Sequence, residues 1–241
     1  MANTYFQFKQ FIIHQEQCAM KVTTDACLFG SIVSKNIRDK GQLKILDIGT
    51  GTGLLALMLA QNNTHITIDA VEVDPAACNQ AASNVALSPW RNNINIIAAD
   101  VRSFQLQSAY DIIITNPPFY ENELKGNNEK KNTAHHSQLL TLPALLEVIK
   151  NNLSSNGQFF ILLPYKRHVE FKKLIMNSGL HIKQITGIKQ TTRHTYFRFI
   201  ATGNSGNNEL KINFNEITIR ENQSAYTKEF KNLLRDYYLE L

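Results

Sequence analysis

The chain has 241 residues, 43% of them apolar and 19% charged, with a formal net charge of +5. That is the composition of a soluble globular protein long enough to bury a sizeable core, as one large domain or two small ones; no apolar run reaches membrane-spanning length and no basic-then-apolar signal opens the chain, so a cytoplasmic protein is expected. The positive balance favours an acidic partner, and the three cysteines at 18, 27 and 78, without CxxC or a His in ligand spacing, read as small core residues in a reducing compartment and not as a zinc site.

Residues 5–13 are aromatic-rich and partly alternating, which predicts a strand. Leu28, Phe29, Ile32 and Val33 then recur at helical spacing, with Thr24 or Asp25 placed to cap that helix. A cap with open N–H groups also suits a ligand carboxylate, although a plain cap accounts for the local sequence equally well. From Lys44 an apolar strand runs into Asp47-Ile48-Gly49-Thr50-Gly51-Thr52-Gly53, and Leu54 begins a helix. The glycines permit a tight turn and a close approach of main chain to a ligand. The pattern is D-x-G-x-G-x-G. It lacks the Gly-Lys-Ser/Thr of a phosphate loop, and Leu54 stands where G-x-G-x-x-G would have its third glycine.

Residues 66–71 form a second strand ending in Glu72, about 20 residues on, where a carboxylate can bind two ribose hydroxyls. Asp74-Pro75 starts the next helix. A third strand, 93–98, ends near Asp100, an acceptor suited to an adenine amino group. A fourth, 111–115, runs into Asn116-Pro117-Pro118-Phe119. The Pro-Pro pair can neither continue a ladder nor start a helix, so the chain is stiff just past the strand. The Asn116 side-chain carbonyl and the Pro117 main-chain carbonyl become two fixed acceptors, which suit a planar –NH2 with its two donors, and Phe119 adds a flat face for a base. In a doubly wound parallel sheet these strand ends share one edge, where ligands bind.

Residues 121–132 are polar and read as a loop beside the site, either a lid or a solvated insertion. His135-His136 is read as a helix entry or phosphate contact, since neighbours on a helix do not face one point as metal ligands would. Beyond them the pattern predicts helices over 139–149, 167–176 and 226–239, and strands over 158–163, 180–188, 195–201 and 210–219. Lys125, Lys130, Lys131, Lys189 and Arg193 fall on loops near the site and are candidate phosphate contacts.

The order glycine loop, Glu72, Asp100, Asn-Pro-Pro-Phe resembles the class I S-adenosylmethionine-dependent methyltransferases that act on amino nitrogens. Phe8-Lys9-Gln10-Phe11, Met20-Lys21-Val22-Thr23-Thr24-Asp25-Ala26 and the tail from Tyr226 to Leu239 are similar to one branch, the bacterial tRNA N6-adenosine methyltransferases that modify adenosine 37 of a valine tRNA. The resemblance spans nearly the whole chain. It implies an α/β, Rossmann-like, doubly wound seven-stranded sheet, mostly parallel with one antiparallel strand near the carboxyl end. It further implies a single domain over 1–241, in which 1–40 form a strand–helix extension over the cofactor site.

S-adenosylmethionine is the implied cofactor. Asp47, Gly49 and Gly51 would hold its methionine part, Thr23 and Thr24 its carboxylate, Glu72 the ribose and Asp100 the adenine. Asn116, Pro117 and Phe119 would orient and stack the target base, and Asn116 would also bind the cofactor. The implied partner is the anticodon loop of the valine tRNA, met by a monomer without metal. His135 stands where that branch would be expected to carry Arg, and is placed on the RNA with Lys125, Lys130, Lys131, Lys189 and Arg193. The clamp itself suits adenine N6, cytosine N4 or guanine N2, so a ribosomal-RNA base is an alternative target, as is a protein glutamine. Enzymes of the latter kind usually carry an amino-terminal helical domain, for which there is no room before Lys44. A non-catalytic RNA-binding module is the reading from a different class; it has no use for two acceptors aimed at one amine.

Overall fold

The structure, a computed structural model, describes residues 3–38, 40–104, 109–117, 140–206, 211–222 and 225–241. Its elements are β1 (Tyr5–Gln7), β2 (Ile12–His14), α1 (Thr24–Ile37), β3 (Leu43–Ile48), α2 (Leu54–Asn62), β4 (Ile66–Glu72), α3 (Pro75–Ala86), β5 (Ile94–Ala98), β6 (Tyr110–Thr115), α4 (Leu142–Asn152), β7 (Leu153–Pro164), a 3-10 turn (Tyr165–Arg167), α5 (His168–Met176), β8 (His181–Thr191), β9 (Tyr196–Asn204), β10 (Asn213–Arg220) and α6 (Lys228–Leu234).

The central strands are apolar because both faces are covered: Ile45 to Ile48 of β3 and Ile112 to Thr115 of β6 are all buried. Strands β3 to β10 form one sheet in the order β10-β8-β9-β7-β6-β3-β4-β5. Only β9 among them runs antiparallel, to both β7 and β8. The expected mostly parallel sheet is present, and residues 213–220 add an eighth strand, parallel to β8 at the edge. From β3 the chain winds outward through β4 and β5, then returns to the other side of β3 as β6 and winds away through β7. The reversal falls between β3 and β6, whose carboxyl ends are neighbours, with Ile48 opposite Thr115. Such a reversal opens a crevice at the strand ends.

Two apolar layers flank the sheet. One gathers α1, α2, α3, α6 and the amino-terminal hairpin, with Leu54 to Ala60 of α2 buried throughout. The other gathers α4 and α5 with Phe159, Phe199 and Ile185. No helix among the described residues is long and apolar enough to cross a membrane. Cys18, Cys27 and Cys78 are buried and unpaired to one another.

Several expectations shift in detail. Residues 5–13 are not one strand but a hairpin, β1 antiparallel to β2, because Phe8 and Phe11 both turn into the core, stacked at 4.5 Å, and the chain must double back between them. The cap of α1 is Thr23, whose hydroxyl accepts from Ala26 N at 3.4 Å, and not Thr24 or Asp25. Asp25 instead accepts from Arg198 Nε at 2.8 Å. The last helix is shorter than its sequence pattern: Thr227 caps it, accepting from Phe230 N at 3.2 Å, and it ends at Leu234.

Candidate active site

The turn after β3 is built from main chain. Gly49, Gly51 and Gly53 have φ of +71°, +58° and +82°, a region that residues with a Cβ rarely enter. Gly49 N and Thr50 N both donate to Val71 O, at 2.9 and 3.1 Å, so the loop folds back over the end of β4. Gly53 ends the loop as the N-cap of α2, with no side chain capping that helix.

Asp47 lies beneath this loop and is fully buried. Its Oδ2 accepts from Thr50 Oγ1 at 2.7 Å, while Oδ1 has no partner. Burial pushes its carboxyl up to about 7; the Thr50 hydrogen bond opposes the rise and the Glu72 charge adds to it. Glu72, at the end of β4, reaches across to the same loop. Its Oε2 accepts from Gly51 N at 2.8 Å and its Oε1 from Val73 N and Asp74 N at 2.9 and 3.0 Å. A third tie comes from α3: Asn84 Nδ2 donates to Thr52 O at 2.9 Å and to His14 O at 2.9 Å, and its Oδ1 accepts from His14 N at 3.0 Å.

The end of β6 is fastened to this assembly by Thr115, fully buried, whose Oγ1 donates to Ile48 O at 2.9 Å. The next residue, Asn116, is half-buried and Pro117 is buried. Asn116 therefore follows directly on a residue anchored one position before Gly49. Asp47, Gly49, Gly51, Glu72 and Asn116 are thus brought to adjacent strand ends. Phe119, Lys125, Lys130, Lys131 and His135 lie outside the described residues.

Asp100 follows β5, and its carboxylate is already engaged. Arg102 donates from Nε to both oxygens at 3.0 Å, from Nη2 to Oδ2 at 2.5 Å and from its main-chain N to Oδ1 at 2.9 Å, and this pairing holds the carboxyl below the usual range. Thr23 sits exposed at the cap of α1, with Thr24 the first helical residue. The start of that helix is tied to the sheet by Asp25–Arg198, and Arg198 on β9 stands opposite Pro164 at the end of β7. Lys189 lies within β8, two residues before its end and not on a loop, in an ion pair with Glu216 at 2.8 Å, and Arg193 is exposed in the turn to β9; both lie on the far side of β7 and β9 from Asn116.

Thr115, Asn84 and the Asp25–Arg198 pair were not legible as site residues. Thr115 reads as one more strand residue and Asn84 as an ordinary helical Asn; their partners lie 67 and 70 or 32 residues away in the chain.

Geometry of this kind has counterparts among solved structures. A predicted O-methyltransferase from Agrobacterium tumefaciens superposes with a TM-score of 0.63 at 18% identity, covering 88% of this chain and 95% of that one. A putative class I S-adenosylmethionine-dependent methyltransferase from Listeria monocytogenes gives 0.63 at 17%, covering 85% and 67%. The family model of the methyltransferase small domain matches residues 29–195. Sheet order, reversed strand and glycine loop define a class I methyltransferase. Sequence relatives narrow this. The tRNA1(Val) (adenine(37)-N6)-methyltransferase of Pseudoalteromonas translucida is 36% identical over 98% of this chain and 99% of its own, and the one from Bacteroides thetaiotaomicron 37% over 100% of both. That of Dyadobacter fermentans is 45% identical over 73% and 72%. The chain belongs to this family of tRNA adenine-N6 methyltransferases.

Proposed function

We propose that the whole chain works as one methyltransferase domain that uses S-adenosylmethionine to methylate the N6 amine of adenosine 37 in the anticodon loop of a cytoplasmic valine tRNA. The observation that carries this reading is the juxtaposition at the switch point: an Asn-Pro acceptor pair beside a glycine loop with a buried, half-unpartnered acid beneath it.

The residues present fit the cofactor. The unpartnered Asp47 Oδ1 is a buried acceptor of the kind an ammonium group satisfies, and an arriving cation favours the ionised form. The glycine loop allows main chain to approach the methionine portion closely, and Thr23 and Thr24 stand at a helix start suited to its carboxylate. A carboxylate has about four acceptor sites, and Glu72 spends three on main-chain N–H groups, so one is left for a ribose hydroxyl and a second hydroxyl would displace one of those N–H groups. By the same count Asp100 is saturated by Arg102, and it takes an adenine amino group only if Arg102 gives up a contact.

S-adenosylmethionine, when bound, supplies a methyl group already activated on a sulfonium. The protein then has to position an aromatic amine that is a poor nucleophile. Asn116 and Pro117 accept from its two N–H groups and fix its plane, and the Thr115–Ile48 bond holds these acceptors in register with the glycine loop. A loop adenosine is already outside a regular duplex, which lowers the cost of turning it into such a clamp. The test is nucleoside mass spectrometry of unmodified valine tRNA incubated with purified protein and S-adenosylmethionine. N6-methyladenosine is the expected product, carried by the ribonuclease fragment that contains position 37; methylated cytosine or guanine, or no methylated nucleoside, would overturn the reading.

A further inference from the structure

The far half of the sheet carries an arrangement that the methyl-transfer site does not use. On the face away from α6, the rings of His168, Tyr165, Tyr196 and Phe214 form a continuous row. His168 and Tyr165 stack at 5.2 Å with planes 7° apart, Tyr165 and Tyr196 lie 4.9 Å apart, and Tyr196 meets Phe214 edge-on at 5.8 Å. The row starts where β7 ends, one strand over from Asn116, and runs out to the edge strand β10. It is held in place. Tyr196 lies against Gly187, where a Cβ would come within 2.6 Å of the ring, so glycine is there for space. Its hydroxyl donates to Glu216, and Lys189 stands over the ring at 4.6 Å while pairing with Glu216.

Rings packed this way in a core would be buried, and these are not. Phe214 is 52% exposed, all four residues from Asn213 to Glu216 are exposed, and Tyr165, His168 and Tyr196 are half-buried. Among the described residues no helix covers β10 on this face, whereas Ile217 and Ile219 on its other face are buried with Phe230 and Leu234 of α6. A contiguous row of incompletely covered rings that reaches an edge strand is the kind of patch that marks an interaction site. Positive side chains flank the row: exposed Lys166 in the 3-10 turn, Lys189, and Arg193 in the exposed β8–β9 turn, against Glu216.

We propose that this row is the platform for the unpaired RNA nucleotides that flank the target base. The inference rests on the reading that an RNA base is presented at Asn116. A base drawn into the clamp leaves its neighbours without a stacking partner on one side, and the row begins one strand away. The exposed ring of Phe214 offers a face to a base, the half-buried rings behind it hold that end of the row in place, and cations alongside meet the phosphates, which is the chemistry that single-stranded nucleic acid recognises. The contact is sequence-tolerant and adds affinity; the clamp selects the atom that reacts.

The test uses the full chain and a fluorescein-labelled anticodon stem-loop RNA, with affinity read by anisotropy, cofactor affinity by calorimetry, and methyl transfer measured separately. Tyr165→Leu and Phe214→Leu should each weaken RNA binding about five- to a hundredfold while leaving cofactor affinity within about twofold, and Phe214→Tyr should bind like the wild type. Phe214 is exposed, so its leucine variant keeps the fold even if the Tyr165 variant does not. Unchanged RNA affinity in Phe214→Leu and in a folded Tyr165→Leu would overturn the platform and leave the face to another partner, as would a wild-type protein that binds no stem-loop at all. RNA binding that depends on these rings without any methyl transfer would keep the platform and sink the enzymatic reading instead.

Discussion

Asn116 and Asp47 show how single residues divide the work at the switch point. Asn116→Ala removes one of two acceptors from the amine. It should leave S-adenosylmethionine affinity nearly intact, because Asp47 and the glycine loop sit on another strand end, while single-turnover methylation falls by about 10²–10³, with roughly another 10² from lost alignment. A near-normal single-turnover rate in that variant would show that the amine is positioned elsewhere. Asp47 carries the opposite tension between stability and function. Its carboxyl titrates at about 7 in the folded protein, against about 3.9 in an unfolded chain. Between those values the folded protein holds a proton that the unfolded chain has lost, so stability falls as pH rises from about 4 to about 7 and then levels off. Asp47→Asn should therefore be more stable than the wild type by up to about 4 kcal/mol at about pH 8, with the difference vanishing near pH 4, and should bind the cofactor poorly at both. Denaturant titrations across that range, with a pH-independent difference as the contrary outcome, decide it.

At the scale of elements, the glycine loop is positioned by its neighbours more than by its own sequence. Val71 O holds it from β4, Glu72 holds Gly51, Thr50 bonds Asp47, and Asn84 on α3 joins Thr52 to His14 of the amino-terminal hairpin. Asn84 is buried, and alanine there would leave three main-chain groups unpaired. We expect Asn84→Ala to lose about 2–4 kcal/mol of stability and to weaken cofactor binding about tenfold, with the turnover rate at saturating cofactor much less affected. An equal loss in turnover and affinity would mean that Asn84 supports the fold alone. Little of this was visible beforehand. The loop glycines, the strand–helix alternation and the carboxylate after β4 were legible because turn chemistry and hydrophobic period act over a few residues. The hairpin at 5–13 was not, since alternation alone cannot say that Phe8 and Phe11 both turn inward.

For the molecule as a whole, the net charge of +5 and the basic side chains Lys166, Lys189 and Arg193, after β7, late in β8 and in the turn to β9, set the expectation for RNA. Affinity for tRNA should fall at least tenfold between about 50 and about 200 mM salt. Arg193→Ala should reduce the slope of log affinity against log salt by about one phosphate contact, and Lys189→Ala by less, because the Lys189 charge is shared with Glu216. Salt-independent binding would remove the electrostatic contribution altogether.

By itself the sequence determined the class of the protein: an apolar strand into Asp47 and its glycines, Glu72 one strand later, and Asn116-Pro117 closing another strand. Each depends on contacts between near neighbours, on steric limits of Gly and Pro, or on spacing that a βαβ unit imposes. Tertiary structure decided what those residues face. It set Arg102 on Asp100, left one oxygen of Asp47 without a partner, pinned Asn116 beside the loop through Thr115, joined Asp25 to Arg198 across 173 residues, and laid Tyr196 over Gly187. Those pairings follow from how the layers pack, and side chains far apart in the chain carry no local signal of the partner that packing will bring to them.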